Sequence, residues 1–226
     1  MKPPVLLLGG SFDPVHRGHL ALARAALAAF APCALRAVPA GRPWQKGEIT
    51  APEHRAAMLA LALRELPGAR IDRRELDRAG PSYTIDSLLE LRRQLGPDVP
   101  LVLLIGADQL ARLPTWHRWQ ELTDHAHLAI AQRPAAGAQP APPSAPQPAA
   151  TALPDPALAA WIAARRGTPA DAHALAAGRV IDFPMPPDDA SSTEARALLA
   201  SAAAPARDAR LAHLLPAGVL DYIRAH

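Results

Sequence analysis

The chain has a single cysteine, Cys33, in 226 residues. One thiol excludes a disulfide framework and any zinc site built on paired cysteines. Aromatic residues make up only 4% of the sequence, and lysine occurs only at Lys2 and Lys46. The 24 basic residues are interleaved with 21 acidic ones, leaving a net charge of +3 and no Lys/Arg run. A nucleic acid calls for a concentrated basic stripe, so this balance argues against such a partner and leaves a small anionic ligand open. No apolar run reaches the roughly 18 residues of a membrane-spanning helix. The opening MKPPVLLLGG has one lysine and a short apolar run before two glycines, too little for a secretory signal. These absences lead us to expect a cytoplasmic protein with no membrane partner. The length fits one domain, residues 1–226. Alanine is abundant, as are proline and arginine, and we read this as compositional bias.

Apolar runs alternate with helical patterns along the chain. Val5 to Leu8 reads as a strand stopped by Gly9-Gly10, and HLALARAALAAF after it as a helix. Ala34 to Val38 is a second strand. Thr50-Ala-Pro-Glu53 has the form of a capping box, so a helix is expected from there to about Leu66. Arg70 to Arg73 reads as a short strand. Ser82-Tyr83-Thr84 opens a helix that Gly96-Pro97 closes. Leu101 to Ile105 is a buried strand ended by Gly106, and His127 to Ala131 another. Residues 134–154 carry no charge and are mostly Pro and Ala, which predicts a semi-extended, mobile surface insertion. Arg179 to Asp182 is a further strand. Ser191 to Glu194 forms a second capping box at a helix start, and Pro216 begins the last helix. This alternation predicts an α/β fold with a mostly parallel sheet, whose ligands bind beyond the carboxyl ends of the strands.

The segment following the first strand is Gly9-Gly10-Ser11-Phe12-Asp13-Pro14-Val15-His16-Arg17-Gly18-His19. The glycines admit close backbone approach to a ligand. His16 and His19 are three apart beside a helix N-terminus, whose N–H groups favour anions. Imidazole donors there suit phosphate oxygens and the charge that develops in phosphoryl transfer. The bland reading is a glycine-rich turn with incidental histidines. A zinc site is disfavoured because the H-x-x-H lacks the carboxylate of H-E-x-x-H. Ser191-Ser192-Thr193-Glu194-Ala195-Arg196 adds hydroxyls, N–H groups and an arginine at a second helix start, a phosphate-binding corner or simply a good N-cap. Asp108 could be a helix cap, Tyr83-Thr84 a helix start, and Trp119 a core residue. His54, His117, His125, His127, His173, His213 and His226 stand in no constellation.

With these stretches in view, the chain resembles the nucleotidyltransferases of the H-x-G-H type, and among them the bacterial nicotinate-nucleotide adenylyltransferases. GGSFDPVHRGHL matches the family's opening. Lys46 after a Pro-Trp loop, GPSYTIDSL at 80–88, LIGADQL at 104–110 with Trp116 and Trp119 beyond it, and SSTEAR at 191–196 follow in the same order. Two departures stand out: the Pro/Ala stretch is long, and Ala190 and Ala195 replace aliphatic residues, which should loosen packing at the phosphate corner. The resemblance implies a Rossmann-like, doubly wound sheet with helices on both faces. It implies adenylyl transfer from ATP to nicotinate mononucleotide, by in-line attack without a covalent intermediate. His16, His19, Lys46 and Arg196 would be catalytic. Gly9, Gly10, Ser11, Phe12, Gly106, Asp108, Ser192 and Thr193 would bind ATP. Tyr83, Thr84, Trp116 and Arg133 would bind the acceptor. Mg²⁺ would bridge ATP phosphates, with no metal ligand from the protein, and a homo-oligomer is compatible with the family. The rival readings are a phosphopantetheine or nicotinamide-mononucleotide adenylyltransferase and a non-catalytic nucleotide-binding protein.

Overall fold

The structure is a computed structural model and describes residues 2–43, 47, 49–132 and 155–226. The insertion expected at 134–154, with Lys46 and Arg133, lies outside those residues. The strands are β1 (Val5–Gly10), β2 (Ala34–Pro39), β3 (Ala69–Ile71), β4 (Leu101–Gly106), β5 (His127–Gln132), β6 (Arg166–Gly167) and β7 (Val180–Pro184). The helices are α1 (Arg17–Ala29), α2 (Pro52–Leu63), α3 (Thr84–Leu95), α4 (Ala107–Leu110), α5 (Leu122–His125), α6 (Pro156–Ala163), α7 (Asp171–Ala174), α8 (Ser192–Ala200), α9 (Pro205–Leu214) and α10 (Ala217–Ala225). The sheet has the order β3-β2-β1-β4-β5-β7-β6. Strand order thus reverses at β1, the kind of place where doubly wound sheets bind ligands beyond the strand's carboxyl end. No described helix is long and apolar enough to cross a membrane.

Contacts divide the chain into two compact units. The first comprises Met1–Leu8, Ala25–Leu35 and Tyr83–Pro187. In it β1, β4, β5 and β7 pair in parallel register, with Leu7 opposite Leu103, Leu103 opposite Leu128 and Leu128 opposite Val180. Leu101 through Ile105 are all buried, as a parallel strand covered on both faces must be. One face packs Leu7, Leu101, Leu103, Leu128 and Ile130 against Ile85, Leu88 and Leu91 of α3. Phe30 meets Phe183 edge-on, ring centroids 5.7 Å apart. Gly96, at φ +93°, closes α3 as its sequence predicts. Arg92, one turn earlier, donates to the carbonyls of His125 (2.6 and 2.8 Å), Val99 (2.5 Å) and Ala176 (2.7 Å).

The second unit comprises Gly9–Arg24, Arg36–Ser82 and Asp188–His226. Here α2 buries Ala56, Met58, Leu59, Ala62 and Leu63, a helical stripe that also includes Arg55. The capping box expected at Thr50 does not form. Ala51 is the N-cap, no side chain caps it, and the helix ends at Leu63 rather than Leu66. Proline as an early helix residue leaves one N–H fewer to cap, and the Thr50 backbone N–H is engaged by the Asp13 carboxylate at 3.4 Å. The strand expected at Arg70–Arg73 is shorter, because Asp72 is drawn to the guanidiniums of Arg74 (2.7 Å) and Arg36 (3.1 Å). Ala195 is fully buried with Leu211, Leu214, Leu215 and Leu220, and Ala190 packs against them. The corner that alanine was expected to loosen is therefore filled by leucines of α9 and α10.

Candidate active site

The second unit holds the histidine segment. His16 precedes α1, and its carbonyl accepts from the N–H groups of His19 (3.0 Å) and Leu20 (3.4 Å). The His16 N–H in turn donates to Nδ1 of His19 at 3.2 Å. This is one half of a capping box, the bond back to the N-cap N–H, with histidine in the usual Glu or Gln position. It also fixes the His19 tautomer: with Nδ1 accepting, a neutral ring carries its proton on Nε2. The two imidazoles lie 3.8 Å apart, tilted by 36°. Gly18 between them avoids a tight contact. A Cβ there would stand 3.0 Å from the Asp188 carboxylate and 3.1 Å from the His16 ring. The edge of Phe12, buried, supports His19 at 5.0 Å.

The loop's carbonyls are turned inward and held one by one. That of Gly10 accepts from the Ala40 N–H at 2.9 Å. That of Ser11 accepts from Nη1 of Arg55 at 2.8 Å. That of Asp13 accepts from Nη1 of Arg196 at 2.5 Å, and that of Pro14 from the Ser192 hydroxyl at 3.0 Å. Phe12 has φ +51°, a left-handed conformation that costs a non-glycine residue about 1–2 kcal/mol. Arg55 is fully buried and also donates to the carbonyls of Thr50 (2.8 Å) and Gly41 (3.2 Å). Burial pushes its guanidinium below the ordinary arginine value, and the Asp13 carboxylate opposes that shift. Gly41 is held against the Glu75 carbonyl so closely that no Cβ fits. Sequence reading missed Arg55, although its place on the apolar stripe of α2 was a usable signal.

The start of α8 forms the second corner. The Ser191 hydroxyl caps the Glu194 N–H at 3.1 Å, as its sequence predicts. The Glu194 carboxylate does not complete the box; it binds Arg210 at 2.7 and 3.0 Å, and Arg210 also reaches Asp189 at 3.0 Å. Hydrogen bonding by Arg210 holds both carboxyls below their usual range and raises the guanidinium value. Glu194 would otherwise set a negative charge where the helix favours anions. Ser192 spends its one donor on Pro14, whereas Arg196, exposed, engages one of its five N–H groups among the described residues. Thr193 is exposed.

In the first unit, Gly106 ends β4 and is the N-cap of α4, in whose first turn Asp108 lies. Tyr83 is the N-cap of α3, directly before Thr84, and its ring stacks on His117 at 4.4 Å. Trp116 ends a short 3-10 turn and, half-buried, packs against the core. Trp119, expected in the core, is likewise half-buried and edge-on to Trp161 at 4.9 Å.

Residues 7–198 match the cytidylyltransferase-like family model. The chain is 43% identical over 225 residues to the probable nicotinate-nucleotide adenylyltransferase of Aeromonas hydrophila, covering 99% of this chain and 96% of that protein. It is 39% identical over 224 residues to the probable enzyme of the same name from Herminiimonas arsenicoxydans, covering 98% and 94%. In fold it is similar to a Plasmodium falciparum nicotinic acid mononucleotide adenylyltransferase solved with NaAD, at TM-score 0.66 and 16% identity, covering 100% of this chain and 96% of that one. By sequence and by architecture, the chain belongs to the cytidylyltransferase-like family and, within it, to the nicotinate-nucleotide adenylyltransferases.

Proposed function

We propose that the protein transfers the adenylyl group of ATP to nicotinate mononucleotide, releasing pyrophosphate and forming nicotinate adenine dinucleotide for NAD biosynthesis. The observation that carries this reading is the pairing of His16 and His19 at the start of α1, with their imidazoles 3.8 Å apart and Nδ1 of His19 held by the His16 N–H. The mononucleotide phosphate attacks the α-phosphorus in line, pyrophosphate leaves, and no covalent intermediate forms. Catalysis then consists of positioning and charge stabilisation. His16 and His19 donate to the triphosphate, and Gly9, Gly10, Ser11 and Phe12 offer it their backbone. Arg196, with Thr193 and the backbone N–H groups at the start of α8, receives the leaving phosphates. Ser192 acts through the Pro14 carbonyl instead of donating to phosphate directly. Gly106 and Asp108 lie by the ATP ribose, and Lys46 and Arg133 neutralise phosphate. The donor set of imidazoles and guanidinium suits phosphate oxygens rather than a hard cation. Bound with ATP, Mg²⁺ would be held by phosphate oxygens and water and would supply charge neutralisation there.

Tyr83, Thr84 and Trp116 receive the acceptor. The first N–H groups of α3 have no intrahelical partner, and a carboxylate accepts from them with both oxygens. A carboxamide would turn its NH₂ toward donors, a mismatch of about 1–3 kcal/mol. Kinetics with nicotinate and nicotinamide mononucleotides at equal ATP and Mg²⁺ test the reading. A preference for the acid of at least about a hundredfold in kcat/KM is expected. Equal efficiency, or preference for the amide, overturns the choice of acceptor.

A further inference from the structure

The Ser11–Phe12 peptide is the least comfortable part of the loop. Phe12 has φ +51°, and its side chain is buried. Rotating that peptide plane about its ends would change φ of Phe12 and release the left-handed conformation. The same rotation would swing the Ser11 carbonyl off Arg55, which grips it at 2.8 Å. In a trans peptide, C=O and N–H point in opposite directions. The Phe12 N–H therefore faces away from Arg55, and the guanidinium decides which way that donor is presented.

From this geometry we propose that Arg55 is a positioning residue that locks the Ser11–Phe12 peptide, so that the Phe12 N–H is presented to the nucleotide phosphates. This rests on the reading of ATP as the donor substrate. Arg55 is suited to the task because it is itself immobilised. Its Nε is bound to the Thr50 carbonyl and its Nη2 to the Gly41 carbonyl, and Gly41 cannot move toward Glu75. The neighbouring Gly10 carbonyl is fixed independently by the Ala40 N–H. Lysine could keep the charge but has no planar fork to hold three carbonyls at once.

The full chain is compared with Arg55→Lys and Arg55→Ala, each below its own melting temperature. One readout is steady-state kinetics with ATP and nicotinate mononucleotide. The other is the backbone amide resonance of Phe12 as a non-hydrolysable ATP analogue is added. We expect Arg55→Lys to lose about a hundredfold in kcat/KM for ATP, the cost of one misdirected donor. KM for the mononucleotide should move less than about threefold, because that site is untouched. The Phe12 amide should shift with the analogue in the wild type and stay still in Arg55→Lys. Added guanidinium ion should restore part of the activity of Arg55→Ala. Wild-type kcat/KM per folded molecule in Arg55→Lys, or a wild-type Phe12 response, overturns the inference. If Arg55→Ala does not fold, Arg55→Lys decides alone. If the wild type makes no dinucleotide, the functional reading fails, and the amide titration still tests the lock.

Discussion

His19 serves the fold through Nδ1, and the proposed reaction asks a second service of the same ring. Nδ1 takes the His16 N–H at 3.2 Å and closes the first turn of α1. In the proposed reaction its ring donates to the ATP phosphates as well. Replacing His19 by alanine should therefore do two separable things. Loss of the cap should cost about 1 kcal/mol of stability, read as a small drop in melting temperature. Loss of the donor should lower kcat by about 10²–10³. Unchanged kcat in a folded variant would remove His19 from the chemistry. Gly18→Ala probes the same turn from the other side. Its Cβ would meet the His16 ring at 3.1 Å and Asp188 at 3.0 Å, so the imidazole must yield. Displacement of a catalytic group on that scale should cost about tenfold to a hundredfold in kcat, with the melting temperature little changed. Both histidines and Gly18 were legible in the sequence because their spacing at a strand end is unusual. Arg55 was not, since an arginine among alanines and leucines reads as an exposed residue until three carbonyls are seen around it.

At the scale of elements, strands and helices with strong periodicity were legible, and the short or alanine-rich ones were not. The run Leu101–Ile105 is apolar throughout and became β4. α6 was overlooked although Asp155 caps it, accepting from Ala157 at 2.8 Å, because Pro and Ala dominate the residues before it. β6 is two residues long and has no sequence signature. His127, given no role from sequence, is buried at the start of β5, with Nε2 on the Leu175 carbonyl (2.9 Å) and Nδ1 accepting from the Arg179 N–H (3.2 Å). Burial holds its pKa below the ordinary 6.5, and hydrogen bonding to Leu175 only partly opposes this. The unfolded chain then binds a proton that the native state refuses. The contribution is intact above about pH 6.5 and is lost as pH falls from there through the folded value. Denaturant unfolding at pH 7.5 and at pH 5.5 should show this decline, and His127→Gln should flatten it. An undiminished slope in that variant would shift the cause elsewhere. At α8, Arg210→Ala should leave Glu194 and Asp189 without this guanidinium beside the turn proposed to receive phosphate. KM for ATP should rise about twofold to fivefold, with a weaker effect in high salt.

For the whole molecule, the parallel sheet follows from the alternation of apolar runs with helical stripes, and its reversal at β1 fits the doubly wound sheet that the family resemblance implies. The grouping of contacts into two units does not, because each unit is assembled from three separate stretches of chain. Composition alone supports one prediction about the Pro/Ala segment. Removing residues 136–152 and joining the ends with two glycines should leave kcat/KM within a few-fold, since loop length alters closure entropy by only about 0.6 kcal/mol per doubling. Loss of ATP binding, measured by calorimetry, would instead make that segment part of the site. The inward-held carbonyls of the histidine loop carry a consequence for the order in which the protein is made. A ribosome that has reached Gln132 has already produced His16, Gly18, His19 and Arg55. The side chains that grip the Asp13 and Pro14 carbonyls, Arg196 and Ser192, are made only well after that. A nascent chain stalled before them carries the whole histidine motif on a loop whose second half is not yet fastened.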